Sequence, residues 1–135
     1  MDIKIEVINI PVTDVDVTKA FYVDKLGLHE DIDVTVTEGL RFVQLTPPGS
    51  ACSVVIGDGL TDMEPGSQRG IMAVIDNADD ARARLIEKGV EASEVDEQEW
   101  GRFVYFADPD GNAWTLQQLP DRSEEPPDVT DEPLA

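Results

Sequence analysis

The 135-residue sequence contains one cysteine, one histidine and no long apolar run. A single cysteine excludes an intrachain disulfide and any zinc site built from several cysteines. A single histidine leaves no Ser-His-Asp or Cys-His set for nucleophilic catalysis, and we expect this residue, His29, at the surface after the first helix. No segment approaches the roughly 18 apolar residues of a membrane span. These absences favour a cytoplasmic protein.

Basic residues are also scarce, since 10 lysines and arginines face 29 aspartates and glutamates, for a net charge of −19. Such a charge repels nucleic acid and anionic membrane surfaces, so we expect neither as a partner. Two interpretations remain open: the charge serves solubility, or it attracts cationic ligands. Residues 121–135 are acidic and proline-rich without aromatics, a composition typical of disorder. We therefore expect one domain over 1–120 and a disordered tail over 121–135.

An internal repeat organises the first 120 residues. Segments 11–28 and 73–90 each leave an apolar strand, meet an Asp or Asn helix cap, and end a helix at Gly27 or Gly89. Segments 41–56 and 102–119 both open with Arg-Phe-Val, and a glycine turn and a short strand follow. With second strands over 32–37 and 92–95, the chain predicts two tandem βαβββ modules (about 3–57 and 70–119). The fold class is α+β, with curved, half-barrel mixed sheets and helices outside.

The stretch ADPDGNAW at 107–114 could suggest a metal loop, because it carries two aspartates beside a proline and a glycine. Its spacing does not match a calcium-binding EF-hand, which needs glycine sixth and glutamate twelfth. Counted from Asp108, glycine is fourth and the twelfth residue is Leu119. Pro109 and Gly111 instead suit a tight turn, and the Asp108 side chain can accept from nearby backbone amides. We predict a hairpin turn.

The motif PVTDVDVTKAFYVDKLGL near the start, together with FADPDGNAWTLQQL at the end of the second module, resembles the vicinal oxygen chelate superfamily. This superfamily includes glyoxalase I, extradiol dioxygenases and bleomycin-resistance proteins, and the resemblance covers residues 4–119. It implies a homodimer. It also implies that the metal-ligand positions of the metal-dependent members fall on Val7, Ser53, Gly70 and Thr115. None of these is an imidazole, carboxylate or thiolate, so we expect no metal and no other cofactor.

Strand alternation predicts which residues face the cavity that the resemblance implies. The cavity-facing set is apolar, aromatic or neutral and polar, as a small-molecule site requires, and the alternating residues, such as Val54 and Trp114, should pack against the helices. Trp100 would cover the cavity or plug an edge of the domain. The predicted ligand-binding residues are Asn9, Phe42, Gln44, Ser53, Val55, Met72, Trp100, Phe103, Tyr105, Thr115 and Gln117. The alternative is a solvated concave face with no ligand.

Three functions follow from this pattern. The first is metal-independent binding of a small molecule that is hydrophobic with neutral polar groups, or cationic, such as a metabolite or antibiotic. The second is a glyoxalase-like lyase, isomerase or dioxygenase, for which Tyr105 is the catalytic candidate, although an ordinary phenol titrates near pH 10. The third is a non-catalytic dimer that contacts other proteins. Arg41 and Arg102, at equivalent repeat positions, would form salt bridges or hold a substrate anion.

Overall fold

The computed structural model describes residues 1–121 as two βαβββ modules. The predicted tail lies outside the described residues, apart from Asp121. Within residues 1–121, no helix is long and apolar enough to cross a membrane. The first module contains β1 (Val7–Asn9), α1 (Val15–Ala20) with a π-helical continuation (Phe21–Lys25), β2 (His29–Thr37), β3 (Leu40–Thr46) and β4 (Ser53–Asp58). The second contains β5 (Ile71–Ile75), α2 (Ala78–Glu87), β6 (Asp96–Gln98), β7 (Gly101–Ala107) and β8 (Ala113–Gln118).

Each module forms a four-stranded mixed sheet, and the two sheets have the same topology. The strand orders are β1-β4-β3-β2 and β5-β8-β7-β6. The first strand of each module pairs parallel with the last, and the remaining pairs are antiparallel. The predicted α+β fold with an internal repeat is therefore confirmed. The strands β1 and β5 each lie at a sheet edge.

The second strand of each module departs from its predicted position. Strand β2 begins earlier than residue 32, because His29–Thr37 pairs along the whole of β3. Strand β6 lies at 96–98 instead of 92–95, because it pairs with Gly101, Arg102 and Phe103 across a tight connection. The residues predicted to be this strand include Ala92 and Val95, which pack against the core instead.

Both helices begin and end where the repeat predicts. The Asp14 side chain accepts from the Val17 amide at 3.1 Å, and the Asn77 side chain accepts from the Asp80 amide at 3.0 Å. These bonds satisfy amides that have no partner within the helix. After the helices, Gly27 and Gly89 adopt φ values of +82° and +81°, which glycine tolerates without a Cβ clash.

One hydrophobic core lies between the sheets and the helices. The sheet residues predicted to face the helices contribute buried side chains from β4, β7 and β8, and the first helix contributes Phe21 and Tyr22. The Phe21 ring lies 6.4 Å from Phe106, and the Tyr22 ring lies 5.7 Å from Trp114. Because these contacts cross from the first helix to the second sheet, the two modules share one core.

The equivalent arginines of the repeat make equivalent salt bridges on the helical side. Arg41 contacts Asp16 at 3.0 Å, and Arg102 contacts Asp79 at 2.9 Å. Each aspartate lies in the first turn of its module's helix. Arg41 also binds Asp33 of the neighbouring strand β2 at 2.8 Å. The arginines therefore connect helix to sheet, which confirms the salt-bridge interpretation.

The ADPDGNAW stretch forms the predicted hairpin turn between β7 and β8. Asp108 Oδ1 accepts from the amides of Asp110 at 2.9 Å and Asn112 at 3.0 Å, and Gly111 adopts a φ of +95°. The other carboxylate oxygen, Asp108 Oδ2, accepts from Tyr22 Oη at 2.7 Å and from Asn112 Nδ2 at 2.8 Å. Asp108 thus closes its own turn and also binds the first module.

This buried cluster extends into both modules. Trp114 Nε1 donates to Tyr22 Oη at 3.0 Å, and Asn112 Nδ2 donates to the carbonyl of Pro11 at 2.8 Å. Asn112 Oδ1 accepts from the Gln68 amide at 3.0 Å. Burial, together with the charge of Asp108, raises the pKa of Tyr22 well above its usual value. Its hydroxyl therefore stays a proton donor at neutral pH.

The same substitution at the two tyrosines tests the importance of this cluster. Tyr22→Phe removes the donor to Asp108 and leaves the Trp114 N–H without its acceptor, so we expect a loss of about 1–3 kcal/mol of unfolding free energy. Tyr105→Phe at an exposed site should lose less than about 1 kcal/mol. Urea denaturation of both variants measures the difference. Equal losses would show that the cluster does not hold the modules together.

Candidate functional site

The side of each sheet that faces away from its helix carries the predicted ligand-binding residues. On the first sheet, Val7 lies opposite Ser53, and Gln44 lies opposite Val55. On the second sheet, Tyr105 and Met72 both lie opposite Thr115. We call the two surfaces the first face (Val7, Asn9, Phe42, Gln44, Ser53, Val55) and the second face (Met72, Phe103, Tyr105, Thr115, Gln117).

The two faces belong to separate sheets within residues 1–121, since strand pairing does not join β1 to β5. Ser53 and Thr115, which the resemblance places at one metal-ligand site, therefore lie on different sheets. A pocket of about 170 Å³ lies beside Asn9 and Val55 of the first face, and Leu60 and Met63 of the segment between modules also line it. The structure thus brings the predicted residues together in two groups.

A larger cleft, of about 550 Å³, lies on the helical side of the molecule. It opens between the end of the first helix and α2, beside the edge of β5. Its apolar walls include Leu26, Leu28, Ala73, Ile75, Ala81 and Leu85. The sequence did not predict this cleft, because its walls come from helix-facing residues of both modules.

A β-bulge brings a carboxylate to the first face. The pairing of β2 with β3 skips Asp31, and Asp31 Oδ2 accepts from Thr46 Oγ1 and from Gln44 Nε2. Thr46 Oγ1 in turn lies 2.6 Å from Ser53 Oγ. The bond to Thr46 and the neighbouring His29 hold the pKa of Asp31 below its usual value. Ser53 is therefore linked through one hydroxyl to an ionised carboxylate.

The second face carries a similar pair. Tyr105 Oη donates to Asp96 Oδ2 at 2.5 Å, and this bond raises the pKa of Tyr105 above its usual value. Gln117 Nε2 donates to the carbonyl of Trp100 at 3.0 Å. The rings of Phe103 and Tyr105 lie parallel at 6.5 Å. Because Asp96 holds its hydroxyl hydrogen and its pKa is raised, Tyr105 stays protonated at neutral pH and has no free base to offer.

The sequence predicted no carboxylate on the cavity side, and the contacts of Asp31 and Asp96 show that this was wrong. Sequence alternation cannot reveal the bulge at Asp31, and β6 was expected before residue 96. His29, with a side chain 75% exposed, lies at the surface as predicted, although its Nδ1 contacts Asp31 at 2.8 Å.

Both faces expose apolar side chains to solvent. Met72 and Val74 on β5 are 59% and 61% exposed, and Trp100 is 62% exposed. On β2, Ile32 and Val34 lie opposite Gln44 and Phe42, and each is more than two-fifths exposed. Val74, Ile32 and Val34 were not predicted as site residues. Each alternates along its strand with residues on the helical side, and this pattern could have indicated that they lie on the faces.

The four metal-ligand positions implied by the resemblance do not fit a metal ion. Val7 and Gly70 have no donor side chain, and the Ser53 hydroxyl is bonded to Thr46. Thr115 offers only a neutral hydroxyl. Within residues 1–121, no three His, Cys, Asp or Glu side chains cluster as a metal site would require.

Residues 4–116 match the model of the Glyoxalase/Bleomycin resistance protein/Dioxygenase superfamily. The chain belongs to this superfamily. TnmS3, an antibiotic binding protein from Streptomyces sp. CB03234, is 36% identical with a TM-score of 0.82, over 89% of this chain and 99% of that one. Among curated proteins, no match to the chain is found.

Two further members have the same architecture. A glyoxalase/bleomycin resistance protein from Streptomyces sp. CB03234 is 36% identical, with a TM-score of 0.76, over 85% of this chain and 100% of that one. A superfamily member from Sphaerobacter thermophilus DSM 20745 is 30% identical, with a TM-score of 0.77, over 86% of this chain and 97% of that one. The expected superfamily is thus confirmed over both modules.

Adjacent residues of β8 test the assignment of faces. Trp114 is 4% exposed in the core, so Trp114→Ala should reduce the unfolding free energy by about 3–5 kcal/mol. Thr115 is half-buried on the second face, so the nearly isosteric Thr115→Val should change it by less than about 0.5 kcal/mol. Thermal and urea unfolding measure both variants. The opposite order would invert the register of β8 and reassign the second face.

Proposed function

We propose that the protein binds a small organic molecule on the first and second faces without using a metal ion. The observation that carries this proposal is the composition of the faces: exposed apolar and aromatic side chains beside neutral hydroxyls and amides. Ligand sites are mostly apolar and use a few polar groups to orient the ligand. The similarity to an antibiotic binding protein supports an antibiotic or a related metabolite as the ligand.

The proposed ligand contacts are the residues that the sequence predicted, together with the exposed apolar residues Ile32, Val34 and Val74. Trp100 supports this set because its ring is exposed while its carbonyl binds Gln117 of the second face. This arrangement favours a covering role over an edge plug. The single cysteine, which is free, suits a reducing compartment such as the cytoplasm.

Thr115→Val also tests the binding proposal. If the Thr115 hydroxyl orients a polar group of the ligand, its removal should weaken binding about threefold to tenfold, while the fold is retained. Calorimetry with naphthylmethylammonium, an aromatic probe with one polar group, gives the dissociation constants. Thr35→Val, at an exposed site on the helical side of β2 opposite Arg41, is the matched control. Unchanged binding in Thr115→Val would remove Thr115 from the site.

Metal independence has its own measurement. After dialysis, elemental analysis for Zn, Ni, Mn and Fe should show no stoichiometric metal, and adding these ions should not raise the melting temperature. A specific ion at 100 times its dissociation constant would add about 2.7 kcal/mol to stability, which shifts the melt by several degrees. One bound metal per chain would contradict the proposal.

We further propose a homodimer in which each sheet edge meets a second copy. The edge strands β1 and β5 present backbone groups that no strand within residues 1–121 pairs, and such edges are normally covered. The exposed Met72 and Val74 lie on β5. Pairing β5 with an edge strand of a second copy would cover them and bring two faces into one cavity.

The dimer is tested by its mass in solution. Analytical ultracentrifugation should give twice the 14.8 kDa chain mass. Val74→Lys places a charge beside the β5 edge and should yield monomers. Ile86→Lys, at an exposed apolar site on α2, is the matched control and should remain dimeric. A monomeric wild-type chain, or a dimer unaffected by Val74→Lys, would contradict this interface.

Catalysis is less well supported than binding. Tyr105, the catalytic candidate that the sequence offered, already donates its hydroxyl hydrogen to Asp96, and Asp31 is engaged by its hydrogen-bond partners. A purely protein-binding role leaves the polar pairs behind Ser53 and Tyr105 without a purpose. We therefore place ligand binding ahead of both alternatives.

A further inference from the structure

The hydrogen-bond chain behind Ser53 fixes where its hydroxyl hydrogen points. An ionised carboxylate only accepts hydrogen bonds, and a hydroxyl has one hydrogen to donate. Thr46 donates that hydrogen to Asp31, so in the 2.6 Å contact between Thr46 and Ser53 the donor must be Ser53. Ser53 therefore has only lone pairs left for a ligand.

On the second face, the Tyr105 hydroxyl hydrogen is also already donated, in this case directly to a carboxylate. Tyr105 donates its only hydrogen to Asp96 at 2.5 Å, and its phenolic oxygen keeps a free lone pair. Tyr105 is 41% exposed whereas Ser53 is 6% exposed, so Tyr105 offers the larger accessible acceptor. Gln117 uses one amide hydrogen on the Trp100 carbonyl and retains its second amide hydrogen and its own oxygen.

Charge on the two faces has the same sign. Asp31 and Asp96 lie directly behind the hydroxyls that they polarise. The arginines of the repeat, Arg41 and Arg102, are engaged in salt bridges on the helical side. A ligand that approaches Ser53 or Tyr105 therefore meets acceptors backed by carboxylates.

We propose that the faces select ligands carrying hydrogen-bond donors, and above all a protonated amine attached to an apolar body. This inference rests on the proposed small-molecule function and specifies its ligand class. The apolar body would lie on the exposed apolar side chains Val34, Met72 and Val74. The amine would donate to the Tyr105 or Ser53 oxygen. A carboxylate at the same place would meet lone pairs and be repelled.

Three probes that share one ring system distinguish the effect of N–H donors on binding from the effect of positive charge. Naphthylmethylammonium is a cation with N–H donors, its trimethylammonium analogue is a cation without donors, and naphthylacetate is an anion that only accepts. At roughly 0.15 M salt, where the Debye length is about 8 Å, calorimetry should rank the ammonium probe first. We expect it to bind about tenfold more tightly than the trimethylammonium probe, and naphthylacetate should bind most weakly.

Two variants directly test the direction of the hydrogen bonds that the faces offer to a ligand. In Asp31→Asn and Asp96→Asn the new amide can donate, so the neighbouring hydroxyl is free to turn its hydrogen toward the ligand. Each variant should weaken binding of the ammonium probe about threefold to tenfold. The difference in dissociation constant between the ammonium probe and naphthylacetate should therefore become smaller. Asp80→Asn, an exposed position on α2, makes the same charge change away from the faces and should leave the ranking unchanged.

The outcomes distinguish this inference from the function beneath it. Equal binding of the two cations would mean that charge alone attracts them. Tighter binding of naphthylacetate would mean that the faces prefer a ligand that accepts hydrogen bonds. Either result overturns the donor inference but leaves the proposed small-molecule binding intact. Binding of none of the three probes at millimolar concentration would contradict the binding function itself. A ranking unaffected by both Asp→Asn variants, or shifted equally by Asp80→Asn, would also overturn the inference.

Discussion

The Asp108 carboxylate is the interaction on which the arrangement of the molecule depends. One of its oxygens closes the turn between β7 and β8, and the other accepts from Tyr22, 86 residues away in the first helix. A buried carboxylate without partners would be strongly unfavourable, so the hydrogen bonds from Tyr22 and Asn112 stabilise the fold. These contacts fix how the first helix packs on the second sheet, and with it the shared core.

Because the helices and core occupy one side of each sheet, the other side is free of them, and this is where we propose that the ligand binds. The repeat gives both modules the same division: an arginine connects helix to sheet on the packed side, and a hydroxyl backed by an aspartate lies on the free side. The superfamily fold hosts many activities. Here the residues at its metal-ligand positions favour recognition by shape, apolar contact and hydrogen-bond polarity.

Local patterns in the sequence were sufficient to predict the helices, their caps, the turns and the side of the sheet that each strand residue faces. Each of these features depends on residues that are close together in the chain. Asp14, Asn77 and the turn at Asp108 are examples. The site was predicted only in part. The bulge that turns Asp31 toward Ser53 depends on its pairing with β3, and the shift of β6 depends on its short connection to β7.

Native mass spectrometry of the protein purified from its own host tests the central claim most directly. The account predicts a bound organic molecule that is lost on denaturation, with a composition that includes an amine or other donor and no accompanying metal mass. A chain that carries a stoichiometric metal ion, or that is free of any small molecule across growth conditions, would contradict it.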